Sequence, residues 1–482
     1  MADINIEDDL LIGTLPAIKK DKDEYLIFSP YHRIFIKLNV QQVRDKAVIK
    51  SLDKAGLFEI PDCSNEESLG RNKTRIVLTT TKKCNLYCKY CFARSGPNEK
   101  QEMSSGTATS IIKNISKSSD IERIHFTGGE PTLNFKVIKD VVSLLETKRN
   151  LAMPVFYITT NGIMPKSKLN WLIGKKFAFS VSWDGINDDQ RTDTNGENSE
   201  KITKETIIKI SKSGLPLRVR MAVSKKNLKL LFESVEWLVG NDIKFIHIDP
   251  IVPDGRGEEF VKKFGVDNEE FIDEFFRIVD FAEKNDVWIL NSSLSNLFNP
   301  RGYYCTSFKD RINHFNPDGS ISYCYRIQST SDTFGDDFII GDFGNKNINI
   351  CEEKAKKLSA IDVGDYPELE EDPYKYFFSS GCPVRNYSIN KNWGNINENS
   401  LKLSKSMYRK AIFHLYDRAS SNQRSALEGY LHFYKHLIPK VYLEKTPSKN
   451  ETNYPLLSNE ITHMPGHFIN QDVEIDACDI CI

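Results

Sequence analysis

Arg75-Ile76-Val77-Leu78-Thr79-Thr80-Thr81-Lys82-Lys83-Cys84-Asn85-Leu86-Tyr87-Cys88-Lys89-Tyr90-Cys91-Phe92 reads as a short strand running into a loop that carries three cysteines. The first half is apolar and rich in β-branched residues, which suits a pleated, half-buried surface. The second half is a C-x3-C-x2-C run, and three thiolates at that spacing can grip three corners of an iron-sulfur cube. A 4Fe-4S cluster normally takes four thiolates, so three ligands leave one iron open to a small chelating molecule. A zinc knuckle is the competing reading, but it needs a fourth ligand nearby. Between Cys63 and His125 there is no His or Cys other than these three.

On either side of that loop, strand and helix patterns alternate with a spacing of about 30 residues, as βαβ units do. The candidate strands are Arg75–Thr80, Arg123–Thr127, Val155–Thr160, Phe177–Ser182, Leu217–Val223 and Phe245–Asp249. Amphipathic stretches such as Phe135 to Leu145 and Ile202 to Ile210 fill the intervals. Alternation of this kind predicts right-handed crossovers and a parallel sheet with helices outside. Six such units suit an open doubly wound sheet or an incomplete barrel, and in both the chemistry belongs at the C-terminal ends of the strands.

The flanks differ in character. Tyr25-Leu26-Ile27-Phe28, a turn at Ser29-Pro30-Tyr31-His32, and Ile34-Phe35-Ile36-Lys37-Leu38 predict a hairpin, followed by a helix marked by Val43, Ala47, Ile49 and Leu52 and ended by Gly56. Two strands and a helix bury little alone, so this module either packs on its neighbour or receives an extended peptide along its edge. From about Pro300 to Lys391 the chain is turn-rich, with Asn316-Pro317-Asp318-Gly319 and Gly341-Asp342-Phe343-Gly344, and its cysteines suggest a fold organised around a metal centre. Helical periodicity returns from Leu401 to Tyr442 and predicts a helical pair, with Met407, Ala411, Ile412 and Leu415, then Leu427, Leu431, Tyr434 and Leu437. The expected organisation is therefore a module over 1–70, an α/β core over 71–300, an auxiliary domain over 301–392 and a helical extension with a Cys478-x2-Cys481 tail over 393–482.

Composition narrows the class. With 482 residues, 40% apolar and 27% charged, and 65 Lys+Arg against 66 Asp+Glu, the chain is ordinary globular protein rather than disordered. The balanced charge supplies no field to draw nucleic acid or acidic membranes. No apolar run approaches a membrane span, and Met1 to Asp9 is acidic, unlike a signal peptide, so a cytoplasmic location is expected. Thiols stay reduced there, which favours metal ligation over disulfides for clustered cysteines.

Further motifs recur in a fixed order. Phe92 follows the last cysteine; Gly128-Gly129-Glu130-Pro131 follows the second strand; Thr160-Asn161-Gly162 ends the third; and Ser182-Trp183-Asp184-Gly185 ends the fourth, with Arg191 beyond. Two glycines let backbone approach a ligand closely, and a carboxylate beside them can balance an ammonium group. In register with the cysteines, these segments resemble the radical S-adenosylmethionine (SAM) enzymes over roughly Arg75 to Cys382. The resemblance implies a partial (β/α)6 barrel, a 4Fe-4S cluster on Cys84, Cys88 and Cys91, and S-adenosylmethionine on the open iron. It further implies that Phe92 lies near the adenine, that Gly128, Gly129, Glu130 and Pro131 face the methionyl amino group, and that Thr160, Asn161, Ser182 and Asp184 line the cosubstrate. Arg191 stands where relatives direct an Arg to its carboxylate.

Cys305, Gly319 and Cys324 form a C-x13-G-x4-C pattern, followed by Cys382. This resembles the auxiliary-cluster extension called SPASM, with a departure. Where that family places three more cysteines before the one matching Cys382, this chain has Leu369, Asp372 and Phe378. The resemblance then implies one auxiliary cluster, on Cys305, Cys324 and Cys382, with a fourth ligand from Cys351, from Cys478 or Cys481, or from an exogenous group. Cys351 follows Ile348-Asn349-Ile350 and reads more readily as a small buried hydrophobe. Cys63 reads as structural or idle.

The implied chemistry is reductive cleavage of S-adenosylmethionine to a 5'-deoxyadenosyl radical that abstracts hydrogen from an unactivated carbon. The N-terminal hairpin-helix, the core and the SPASM-like end together resemble maturases of ribosomally made peptides. A precursor peptide whose leader binds the N-terminal module, a thioether or carbon-carbon cross-link as product, and a flavodoxin or ferredoxin as reductant are expected on that basis. The alternatives are a small-molecule dehydrogenase and an anaerobic sulfatase-maturing enzyme. The latter family places an Asp after the cysteine matching Cys324, where this chain has Tyr325. No general acid or base is assigned: His125, Arg220 and Asp249 fall on or at the ends of strands that face either the site or the core.

Overall fold

The computed structural model describes residues 6–59, 73–147, 153–187, 189–305, 307, 313–392, 394–429, 432 and 461–465. Cys63, Cys478, Cys481 and the second helix expected around Leu431 to Leu437 lie outside the described residues.

The chain begins with β1 (Leu10–Ile12), β2 (Leu15–Lys19), β3 (Glu24–Ser29), β4 (Ile34–Asn39) and α1 (Lys46–Lys54). The hairpin and helix expected from the sequence are β3, β4 and α1; β1 and β2 were not anticipated. Pro16 disguises β2, because proline lacks a ladder donor. It is accommodated because the ladder to β3 starts only at Ala17, while Pro16 faces Leu11 of β1.

Next come β5 (Lys73–Thr81), α2 (Ser105–Ile115), β6 (Asp120–Gly128), α3 (Phe135–Thr147), β7 (Val155–Thr160), α4 (Lys166–Gly174), β8 (Ala178–Ser182), α5 (Glu200–Ser211), β9 (Leu217–Val223), α6 (Leu231–Val239), β10 (Phe245–Pro250), α7 (Gly257–Phe264), α8 (Asn268–Glu283) and β11 (Trp288–Leu290). All six expected strands are present, and consecutive ones from β5 to β10 pair in parallel. Their order across the sheet is their order in the chain, with no reversal. A doubly wound sheet must reverse to place helices on both faces. The unreversed order puts the helices on one face and makes this a partial (β/α)6 barrel. Helix α3 shows the patterning that seats them: Val137, Ile138, Val141, Val142 and Leu145 recur at helical spacing and are buried.

Strands β12 (Asn313–Phe315) and β13 (Ser320–Ser322), helix α9 (Gly335–Phe338), strands β14 (Ile339–Gly344) and β15 (Asn347–Ile350), and helix α10 (Glu352–Ser359) follow. This segment is more regular than its turns suggested. Strand β12 adds in parallel to β5, and β13, β14 and β15 continue as an antiparallel meander, giving an 11-stranded sheet. Strands of three residues between turns give too little periodicity to be seen in a sequence. The chain ends its described course with α11 (Lys375–Phe378), α12 (Pro383–Asn390), α13 (Glu398–Ser420) and β16 (Ile461–His463).

Packing divides the chain into two units: residues 1–65, 290–305 and 361–480, and residues 66–289, 306–360 and 481–482. In the first, β1 to β4 and β16 form a five-stranded sheet. Phe35 meets Tyr416 of α13 edge-on at 5.6 Å. The buried Asp9 carboxylate accepts from Tyr374 at 2.7 Å and from Arg409 at 3.0 Å, tying the start of the chain to α11's approach and α13. No described helix is long and apolar enough to cross a membrane.

Candidate active site

The cysteine loop leaves the C-terminal end of β5, as its sequence implied. Cys84 is buried and Cys88 and Cys91 are half-buried. Burial, with Cys88, Glu130 and Cys91 adding repulsion, pushes the Cys84 thiol well up. Leu86 N–H donates to Cys84 Sγ at 3.4 Å and Asn161 Nδ2 donates to it at 3.7 Å. A buried thiol that resists ionisation, set beside two further cysteines and backed by N–H donors to its sulfur, fits a ligand of a cationic metal cluster, which would favour the thiolate.

The Gly128-Gly129 pair lies against this loop. A Cβ on Gly128 would come within 2.2 Å of the Thr81 carbonyl oxygen, and one on Gly129 within 2.4 Å of that of Lys83. Only glycine permits this approach. Gly129 N–H donates to Thr81 O at 2.8 Å and Glu130 N–H to Lys83 O at 2.9 Å.

Glu130 is fully buried. Its carboxylate accepts from Thr132 N–H at 3.1 Å, Thr132 Oγ1 at 2.6 Å, Thr160 Oγ1 at 2.9 Å and Asn161 N–H at 2.8 Å. Burial raises its pKa against these bonds. Glu130 and Thr160 thus bind each other, tying the end of β6 to the end of β7. Asn161 reaches the cysteine loop, donating to Asn85 Oδ1 at 2.7 Å. Pro131 is buried at the start of a short 3-10 turn.

Ser182 is half-buried at the end of β8. Asp184, beyond it, is buried and bonds Tyr90 of the cysteine loop, Gln190 Nε2 at 3.1 Å and Ala222 N–H at 2.9 Å. Arg191, also buried, donates to Tyr90 Oη at 3.2 Å. Burial works against its charge, but Tyr90, Cys88 and Asp184 outweigh it and hold the guanidinium firmly protonated. Phe92 meets Tyr325 edge-on at 5.5 Å and lies under the Arg326 guanidinium at 5.1 Å, so the residue after Cys324 touches the residue after Cys91.

Several contributors went unnoticed in the sequence. Arg256, after β10, donates through Nε to Cys88 O at 2.9 Å and through Nη2 to Ser95 O at 2.7 Å, and its backbone N–H bonds Cys91 O at 3.0 Å. Gly255 has φ +57°, and a Cβ there would come within 2.2 Å of Phe92 O. Asp254-Gly255-Arg256-Gly257 reads as a turn, and its signal was the position at a strand's C-terminal end.

Inside the barrel, alternation turns Ile124, Phe126, Val219, Met221, Ile246 and Ile248 toward the helices and leaves a polar inner face. His125 is buried and bonds Thr159 at 2.9 Å, and Arg218 donates to Tyr157 Oη at 2.9 Å. His125 is therefore a core residue. Asp249, bonded by His247 at 2.8 Å and 3.6 Å from Arg220, is partly open, as is Arg220. Burial, partly offset by Asp249, lowers the His247 pKa to about 4.

Residues 78–238 match the model of the radical SAM superfamily. They are a radical SAM domain. The matched relatives include a "Probable GTP 3',8-cyclase" of Sulfolobus acidocaldarius, 29% identical over 196 residues, which are 39% of this chain and 60% of that protein. The sporulation killing factor maturation protein SkfB of Bacillus subtilis is 25% identical over 199 residues, 40% of this chain and 47% of its own. The fold is similar to that of anSMEcpe, solved with bound AdoMet and the Cp18Cys peptide: TM-score 0.55, 16% identity, covering 72% of this chain and 99% of that one. The matches to these two curated relatives thus span 60% and 47% of the relatives' own lengths.

Of the other cysteines, Cys324 follows β13 and is buried in the barrel unit, while Cys305, buried, and Cys382, half-buried at the N-cap of α12, belong to the first unit. Cys351 is exposed at the N-cap of α10, which corrects its reading as a buried hydrophobe. The strand before it alternates exposed and half-buried residues along a sheet edge.

Proposed function

We propose that this protein is a radical SAM maturase that abstracts hydrogen from a precursor peptide and installs a thioether or carbon-carbon cross-link. The observation that carries the radical SAM part is the C-terminal edge of the barrel, where the loop of Cys84, Cys88 and Cys91 lies against Gly128-Gly129 and beside buried Glu130. Those three cysteines are the ligand set for the cluster. Cleaved reductively on it, S-adenosylmethionine supplies the 5'-deoxyadenosyl radical. The chain's own residues do the holding: Gly128 and Gly129 open room for backbone approach, Asp184 and Arg191 brace Tyr90 within the loop, and Phe92 offers a ring face. Ser182, half-buried at the end of β8, and Asn161, which is buried but reaches the cysteine loop, are the polar strand-end groups proposed to meet the cosubstrate. Cys305, Cys324 and Cys382 are proposed as ligands of one auxiliary cluster, and a flavodoxin or ferredoxin as the electron donor.

The peptide part draws support from the likeness to SkfB and from the N-terminal sheet, which has an edge of the kind that accepts strands. A small-molecule substrate is the second reading, favoured by the likeness to the cyclase. The deciding experiment is anaerobic reconstitution, followed by mass spectrometry of a reaction with S-adenosylmethionine, reductant and precursor-like peptides. A peptide two hydrogens lighter, with matching 5'-deoxyadenosine, supports the maturase; cosubstrate cleavage with every peptide unchanged favours the small-molecule reading. Cys88→Ala should abolish 5'-deoxyadenosine formation, and retained cleavage would overturn the assignment.

A further inference from the structure

The outer edge of β4 carries a strand from the far end of the chain. In β16, Ile461 pairs with Ile36, Thr462 with Phe35 and His463 with Ile34, antiparallel. Met464 N–H then donates to Arg33 O at 2.9 Å, and its side chain is buried. Arg33 sits at φ +53°, where the β3–β4 turn ends, so the ladder stops there. Pro465 stops it on the other strand too, because proline has no N–H to donate.

Two features mark this as a weakly held occupant. Strand β4 has six residues, all paired to β3, yet β16 covers only Ile34 to Ile36; among the described residues Lys37, Leu38 and Asn39 meet no strand on that side. Ile461 and Thr462 are half-buried and His463 is exposed, so of the described residues in this segment only Met464 is buried. A short strand with little burial opens at low cost. The edge beneath it is the opposite case, with Ile34, Phe35, Ile36 and Leu38 all buried. It is also the longer edge of the sheet, since β1 at the other side has three residues.

We propose that the outer edge of β4 is a docking site for an extended peptide, and that Ile461 to Met464 occupy it as the chain's own exchangeable stand-in. The peptide it fits carries a β-branched aliphatic residue opposite Ile36 and a long apolar one three positions later, at the register of Met464, and is long enough to continue along Lys37 to Asn39. Because the stand-in is tethered, an outside peptide competes against a high effective concentration, and access to the edge is gated by this strand. The inference rests on reading the N-terminal sheet as peptide-binding and adds that the chain itself blocks it.

The probe is a labelled synthetic peptide of residues 459–465, read by fluorescence anisotropy on the full-length, cluster-loaded protein. Thr462→Pro, which cannot hold an extended ladder, should bind it at least about 10-fold more tightly than the unaltered chain, and a probe carrying the same proline should not bind. Hydrogen exchange at the amides of 34–36 should quicken in the variant and slow again with the probe. Should Thr462→Pro fail to fold, the double variant Ile461→Gly with Met464→Ala loosens the strand without the proline. Equal binding to altered and unaltered chains, or exchange at 34–36 that the substitution leaves unchanged, overturns the proposal. If the probe behaves as expected but precursor peptides do not compete with it, the exchangeable strand stands and the leader-binding reading falls. Basal 5'-deoxyadenosine formation, unchanged in the variants, keeps either failure apart from that of the radical SAM reading.

Discussion

Glu130 shows how a motif residue can serve the site from behind. Its carboxylate accepts four hydrogen bonds from Thr132, Thr160 and Asn161 while fully buried, so it fixes where β6 and β7 end. Glu130→Gln keeps the shape but sets an amide NH2 against donors such as Asn161 N–H, leaving a buried donor pair without an acceptor. A loss of about 2–3 kcal/mol of stability is expected from denaturant titration, together with at least a tenfold fall in 5'-deoxyadenosine formation. A stable variant with normal cleavage would show that the network does not organise the site. The Gly-Gly-Glu-Pro motif was legible in sequence, but the partners of its carboxylate, 30 and 31 residues away, were not.

Among the elements, the loop after β10 has the largest role that the sequence concealed. Arg256 stacks on the Tyr87 ring at 4.0 Å and bonds Cys88 O across 168 positions, clamping the cysteine loop from a strand five places along the sheet, at the same C-terminal end of the barrel. Gly255 makes that approach possible. Gly255→Ala should force the two loops apart, because its Cβ would overlap Phe92 O and φ +57° is strained for alanine. Iron bound per chain after reconstitution should fall and the affinity for S-adenosylmethionine should weaken, read by iron analysis and equilibrium dialysis. Arg256→Ala, which removes the clamp without adding a clash, should show the milder form of the same defect. Normal iron content in both would leave the loop without a part in holding the cluster.

For the molecule as a whole, the inside of the barrel sets a dependence of stability on pH. His247 is buried beside Asp249, and desolvation depresses its folded pKa to about 4, below the ordinary histidine value. A depressed pKa contributes stability that is complete above about pH 6.5 and lost as pH falls toward 4, because the unfolded chain takes up the proton first. The loss is on the order of 3 kcal/mol across that window. His247→Gln should therefore show a flatter denaturant midpoint between pH 7 and pH 4.5 than the unaltered protein. Parallel curves for the two would mean that His247 carries no such linkage.

The local sequence was enough for the βαβ alternation, the cysteine loop and the glycine pair, because each is written in neighbouring residues: period-two apolar runs, ligand spacing, residues without a Cβ. Tertiary structure decided the rest. The unreversed strand order that makes a barrel, the extension of the sheet by β12 to β15, the bracing of Tyr90 by Asp184 and Arg191, and the seating of Ile461 to His463 on β4 all join residues far apart in the chain. Their partners are chosen by packing and by the need to pair buried polar groups, and neither leaves a mark in a local pattern.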